Sequence, residues 1–277
     1  MNVLNAIFNI ANAKDSHVKN FSKSHIRVNS AGDSLELYVK KAFTGLLDKD
    51  TENPYEEYRK IFSYEGSQNN PPDLMLKGGD AIEVKKIESA YASLSLNSSY
   101  PKDKLYASSK LITKECRECE DWTEKDIIYA TGTVKDEVMT RLSFVYGVNY
   151  AAREDTYTSV IGKIKNSIER TPEFDFSDTN ELGRLNNVDP LKITYFRMRG
   201  MWGIVNPWKV FEYVVSPDAK KQFNFFAIIQ ESKYLSFPSA DRKNIESCKN
   251  LKITDVEIKN PNNPMAVEFA KLFTISR

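Results

Sequence analysis

The stretch that decides the fold is residues 69–89, "NNPPDLMLKGGDAIEVKKIES". Side chains alternate between the two faces of a strand, so residues of one parity share a face. Leu74, Leu76, Ile82 and Val84 are even-numbered and aliphatic, whereas Asp73, Glu83 and Lys85 are odd-numbered. Two strands around Gly78-Gly79 give the aliphatics one shared core face only if opposed residues have an even sum. Asp73 then lies across from Glu83, and Leu74 across from Ile82. A two-residue Gly-Gly turn would pair Lys77 with Asp80, an odd sum, and scatter the aliphatics over both faces. The pattern therefore predicts a three-residue turn, Lys77-Gly78-Gly79, with a glycine in the left-handed conformation, or a bulge. Asp73, Glu83 and Lys85 gather on the face away from the core, with Met75 and Ala81 as mild departures beside them.

That constellation has a chemical use. Two carboxylates a strand spacing apart suit Mg²⁺, which takes few protein carboxylates and keeps several waters. A metal there activates a water and stabilises charge on a phosphate oxygen. Lys85, on the same face, could orient the water or stabilise the transition state. The alternative is a solvated polar face. The letters alone do not decide, because the chain repeats them at Pro217-Asp218 with Glu231-Ser232-Lys233, and at Glu257-Ile258-Lys259. Asp218 lies in a polar turn, "SPDAKK", and a single strand is expected from there to Glu231. About nine residues at roughly 3.3 Å each would part those carboxyl groups by about 30 Å. The third copy has no Pro-Asp at hairpin distance. Only the first places its Asp on one strand and its Glu-x-Lys on a neighbour.

Around the hairpin, residues 34–47 carry apolar side chains at helical spacing, with Asp33 and Glu36 placed as in a capping box. Residues 91–125 read as loop plus a short helix, 126–134 and 141–151 as strands, and 156–170 as a helix with Tyr157, Val160, Ile161, Ile164 and Ile168 on one face. Strand-like runs follow at 191–197, 208–215 and 223–231. A helix near 239–249, a strand at 253–258 and a terminal helix near 264–273 complete the order. Helix first, then a sheet with interspersed helices, predicts an α/β fold in one domain spanning 1–277.

The 277 residues carry a formal net charge of +1, so any nucleic-acid surface must be a local basic patch. Three cysteines form no disulfide framework and fit a reducing cytoplasm. Cys116-Arg117-Glu118-Cys119 is a single C-x₂-C, short of the four ligands of a structural zinc. Two histidines are too few for a triad or an H-E-x-x-H site, and no phosphate-binding glycine loop is present. The amino-terminal segment reads as a short amphipathic helix, not a signal peptide, and no apolar run approaches the roughly 20 residues of a membrane span.

The hairpin resembles the PD-(D/E)xK nuclease superfamily. Together with "LNSSYPKDKL", "CRECEDW" and "ELGRLNNVDPLKITYFRMRGMW", it is similar to the NgoPII family of type II restriction endonucleases, across roughly residues 64–203. The resemblance implies a restriction-endonuclease-like core near 30–150, a mixed central β-sheet flanked by helices. It implies Mg²⁺-dependent cleavage of both strands of a short DNA site, leaving 5′-phosphates, with GGCC as the implied site. Asp73 and Glu83 would hold the metal and Lys85 would assist the water. Glu36 stands where the superfamily often carries a further acidic residue. A homodimer acting on double-stranded DNA and a companion methyltransferase for the same site are also implied. Two other readings remain open: a repair or junction-resolving nuclease on the same core, and a DNA-binding protein without catalysis.

DNA-recognition elements are expected near 95–105 and 180–211. Between Arg184 and Phe211, Arg184, Lys192, Arg197, Arg199 and Lys209 face Asp189 as the single acid, a local charge of +4. Arginine suits bidentate contact with guanine, and Arg197 and Arg199, two apart, share a face on a strand. Phosphate contact or a solvated strand is the alternative. Asn97, Ser98, Ser99, Lys102 and Lys104 follow the hairpin closely and could reach phosphates or bases near the scissile bond; an ordinary polar loop is the other reading.

Overall fold

The computed structural model describes residues 1–14, 31–49, 51, 53–67, 70–89, 92–97, 99–135, 138–179 and 181–277. Helices α1 (Val3–Asn12), α2 (Ala31–Thr44) and α3 (Pro54–Ile61) precede the strands β1 (Phe62–Ser67), β2 (Asn70–Leu76) and β3 (Ala81–Ile87). Short strands β4 (Leu94–Asn97) and β5 (Lys104–Tyr106) and helix α4 (Lys114–Glu118) lead to the long strands β6 (Glu124–Lys135) and β7 (Val138–Tyr146). Helices α5 (Gly147–Tyr150) and α6 (Glu154–Glu169) are followed by β8 (Asp175–Ser177), β9 (Gly183–Asn186), β10 (Phe196–Met198) and β11 (Trp202–Ile204). The chain ends with α7 (Pro207–Val210), β12 (Asn224–Gln230), α8 (Glu231–Ser236), α9 (Ser239–Glu246), β13 (Lys252–Asn260) and β14 (Asn263–Ser276).

Among the described residues, the central sheet has nine strands in the order β1-β2-β3-β6-β7-β12-β14-β13, with β5 paired to β6 off this path. β3 runs parallel to β6 and β7 parallel to β12, while the other neighbours are antiparallel. The sheet is mixed, and helices cover both faces. Leu74, Leu76, Ile82, Ile128 and Phe225 join α1, α2 and α9 in one core, and Met75, Ala81, Ile127, Tyr129 and Phe226 join α4, α5 and α7 in a second. This explains the unbroken apolar run of β12: a strand buried on both faces gains from every side chain, about 1.5–3 kcal/mol for each large one. α2 comes close to β6 because Gly132 has no side chain there; a Cβ at that position would lie 2.6 Å from Leu35 Cδ1.

Several expectations change. α2 starts at Ala31, so Asp33 sits inside its first turn and not at its cap. Residues 147–150 form α5 instead of continuing β7. Residues 208–215 hold no strand: Asn206 caps α7 by accepting from Trp208 N–H at 2.9 Å, with Pro207 at the first helical position. The expected terminal helix is β14, whose partners β12 and β13 override a sequence that helix and strand patterns fit comparably. α6 forms as expected but buries no residue; Val160, Ile161 and Ile164 instead line a groove of about 500 Å³ with Leu182, Met201 and Trp202. Of the run 191–197, only residues from Phe196 onward are in a strand.

Candidate active site

β2 and β3 are joined by Lys77-Gly78-Gly79. Leu76 N–H donates to Asp80 O at 2.9 Å, Gly79 N–H donates to Leu76 O at 3.0 Å, and Gly78 has φ +60°. Leu74 lies opposite Ile82 and Met75 opposite Ala81, the even-sum register that the aliphatic parity requires. A side chain at Gly78 would cost about 1–2 kcal/mol in this left-handed conformation, which is why the turn is glycine-rich.

The register brings Asp73, Glu83 and Lys85 together. Lys85 Nζ lies 2.6 Å from Glu83 Oε1 and 3.9 Å from Asp73 Oδ2. Val84 N–H donates to Asp73 Oδ2 at 2.6 Å, which fixes that carboxylate from the backbone. The three do not face away from the core, as the parity alone suggests. Met75 and Ala81, on the same face, are 0% exposed, because the second core covers this side of the sheet. Glu83 is 8% exposed and its Oε2 is buried without a hydrogen-bond partner. Burial, then the charge of Glu83, pushes the Asp73 carboxyl up to about 7 against the pull of Lys85. Burial opposes the Lys85 charge, but Glu83 and Asp73 outweigh it and hold the ammonium above its ordinary range.

Glu36 is on α2 and is paired to Lys40 at 2.9 Å, while Lys40 also meets Glu65 at 2.8 Å. Its charge is felt at Asp73 and Lys85, but among the described residues no three acidic, histidine or cysteine side chains are grouped as a metal site. The donor set is thus two carboxylates, one with an unsatisfied buried oxygen. That fits a hard divalent cation which keeps most of its ligands as water.

The segment after the hairpin divides. The backbone of Asn97 ends β4 opposite Trp202 of β11, and its side chain and all of Ser98 lie outside the described residues. Ser99 Oγ accepts from Lys102 Nζ at 2.5 Å. Lys102 is no surface lysine: it is 6% exposed and shares a cavity of about 10 Å³ with Glu83, Ser99 and Tyr129. The Tyr129 hydroxyl accepts from Lys102 N–H at 2.7 Å and donates to its carbonyl at 3.2 Å. Burial pulls the Lys102 ammonium down to about 8, with Glu83 pulling the other way. Lys104 points elsewhere, pairing with Glu124 at 2.7 Å and Asp126 at 3.9 Å.

In the basic segment, Arg197 and Arg199 do share a side. Their Nε atoms lie 2.9 Å and 2.7 Å from the two oxygens of Glu181, and both side chains are 58% exposed. Arg184 is exposed, its guanidinium 5.0 Å from the Tyr195 ring centre. Sequence reasoning misses Glu181, which clamps the two arginines, since nothing in its polar surroundings marks it. It also misses the burial of Lys102, which depends on Tyr129 of a distant strand. The second Glu-x-Lys has another role: Glu231 opens α8, and Lys233 pairs with Asp80 and Asp126, each at 2.7 Å. The two thiols at 116 and 119 lie in and beside α4, Cys116 Sγ 3.4 Å from Met75 Sδ, in the second core.

Residues 1–259 match the family model described as NgoPII restriction endonuclease. The chain is 47% identical over 275 residues to the type II restriction enzyme NgoPII of Neisseria gonorrhoeae, which covers 99% of each chain. No solved structure matches it. A match of this extent reaches well beyond the segments around the hairpin and includes α1, α2 and most of β13, and the chain belongs to the NgoPII restriction endonuclease family.

Proposed function

We propose that this type II restriction endonuclease works through a PD-(D/E)xK centre in which Asp73 and Glu83 hold Mg²⁺ and Lys85 assists the attacking water. The observation that carries the reading is the buried Glu83 Oε2, which has no hydrogen-bond partner on the face it shares with Asp73. A buried carboxylate oxygen left unpaired is costly unless a ligand satisfies it. The cation, when bound, supplies Lewis-acid stabilisation of charge on the phosphate oxygens and favours ionisation of water.

The chain's own groups do the positioning. Val84 N–H fixes the Asp73 carboxylate, and Lys85 Nζ holds Glu83 by Oε1, leaving Oε2 as the oxygen that would hold the cation. Lys85 also places a donor beside both carboxylates, where it orients the attacking water and stabilises negative charge gathering on the phosphate. Glu36 adds negative charge from α2 that favours a cation at the centre. The arginines clamped by Glu181 present fixed forks suited to guanine O6 and N7, consistent with a G/C-rich site such as GGCC.

Two strands of a palindrome call for two centres related by two-fold symmetry, so the acting form is a homodimer. The 5′-phosphate ends, a cytoplasmic setting and a companion methyltransferase protecting the same site belong to this reading. Among the described residues no helix is long and apolar enough to cross a membrane. Plasmid incubated with the protein and Mg²⁺ tests it. Discrete fragments are expected from the wild type and intact DNA from Glu83→Ala; a Glu83→Ala protein that cuts normally refutes the site.

A further inference from the structure

The turn between β9 and β10 carries an apolar tip that the chain itself does not cover. Val188 is 59% exposed, Leu191 77%, Ile193 75% and Tyr195 62%. This exposure is built, because one carboxylate organises the turn. Asp189 accepts from the N–H groups of Leu191 at 2.9 Å, Ile193 at 3.1 Å and Thr194 at 2.6 Å, and from the Thr194 hydroxyl. Val188 N–H donates to Thr194 O at 3.2 Å and Lys192 N–H to Asp189 O at 2.9 Å. Asn187 and Lys192 take left-handed conformations, φ 53° and 60°. A turn fixed so tightly, with its aliphatic side chains in water, forgoes the gain that burying them would bring.

The charges around the tip select its partner. Arg184, Lys192, Arg197 and Arg199 flank it against Asp175, Asp189 and Glu181, with Glu181 shared by Arg197 and Arg199. The surround stays cationic, so the fitting partner is anionic outside and apolar within, as stacked bases between phosphates are. A second copy of the chain fits less well, since a two-fold contact brings Arg184 and Lys192 toward their own duplicates. The hairpin is also tied to the catalytic strands. β11, just beyond β10, pairs with β4, just beyond β3.

We propose that the turn at residues 187–195 is a preformed wedge whose Leu191 and Ile193 side chains enter a base step of the bound DNA and partly unstack it. Such wedges kink the duplex and gain contact elsewhere. The proposal rests on the reading of this segment as DNA-facing.

The full-length protein is mixed with Ca²⁺ in place of Mg²⁺ and with duplexes carrying the site mapped by plasmid cleavage. A fluorescent base analogue occupies successive positions in and beside that site. The wild type is expected to raise fluorescence several-fold at one step. The double variant Leu191→Ser, Ile193→Ser is expected to bind at least tenfold more weakly and give no rise, with unchanged circular dichroism and oligomeric size. Leu191→Ala is expected to give an intermediate signal and stands in if the double variant does not fold. No rise at any position for a wild type that cuts plasmid overturns the wedge, as does an unchanged variant. A variant that loses its oligomeric state also overturns it, by making the tip a contact between copies. A wild type that neither cuts nor binds any duplex overturns the DNA-facing reading beneath it.

Discussion

Asp73→Asn separates the cost of the centre from its use. Asp73 is held by Val84 N–H, and burial together with the Glu83 charge pushes its carboxyl from 3.8 to about 7. Below about pH 4 the carboxyl is protonated whether the chain is folded or not, and it contributes nothing. Between there and pH 7 the unfolded chain releases the proton while the folded chain retains it. The unfolded state then binds fewer protons, so stability falls as pH rises. Moving the carboxyl from 3.8 to about 7 corresponds to about 4 kcal/mol lost above pH 7, an upper figure because Glu83 shares the charge. The amide in the variant keeps an oxygen for Val84 N–H but has no proton to lose. In EDTA, urea unfolding of the wild type is therefore expected to show stability declining from pH 5 to pH 8 relative to Asp73→Asn. The variant is expected to be the more stable protein at pH 8 and to leave DNA uncut. A wild type whose stability stays parallel to the variant across that range would falsify the claim that Asp73 is strained by burial beside Glu83.

The other predictions concern the groups around that pair. Lys85→Met removes the donor 2.6 Å from Glu83 Oε1 and is expected to slow single-turnover cleavage by ~10²–10³ while DNA binding in Ca²⁺ is kept. Glu181→Ala frees Arg197 and Arg199 from their clamp and is expected to weaken discrimination against single-base variants of the site by ~1–3 kcal/mol, read from relative cleavage rates. Lys233→Met removes the cation paired with Asp80, which is 5% exposed, and leaves Asp80 the Tyr146 hydroxyl and Asp126 the Lys104 contact at 3.9 Å. It is expected to cost about 3 kcal/mol in urea unfolding, the low end for breaking a buried pair. Near-wild-type stability there would mean that the two aspartates do not depend on Lys233.

The hairpin was legible because its information is local. The parity of Leu74, Leu76, Ile82 and Val84 dictates a register, and the register dictates a three-residue turn, which the structure has. β12 was legible for a related reason, since a continuous apolar run has few places to go. Where local pattern was ambiguous, distant partners decided. Residues 264–273 fit either period, and pairing with β12 and β13 made them a strand. At 208–215 the β-branched and aromatic residues favoured a strand, but Asn206-Pro207 is a helix start that outweighs them over so short a segment.

The candidate site divides along the same line. Which side chains meet is a matter of register, so Asp73, Glu83 and Lys85 follow from their own short stretch of sequence. How strongly they act on one another depends on what covers them, and that cover comes from chain far away: Tyr129 of β6 anchors Lys102, and the second core closes over Met75 and Ala81. Solvated, the three charges would be an ordinary polar face with each interaction worth little. Buried, the same residues keep a carboxyl near neutral pH and leave one carboxylate oxygen unpaired, so what would let the charged hairpin take the proposed cation comes from the packing, not from the motif.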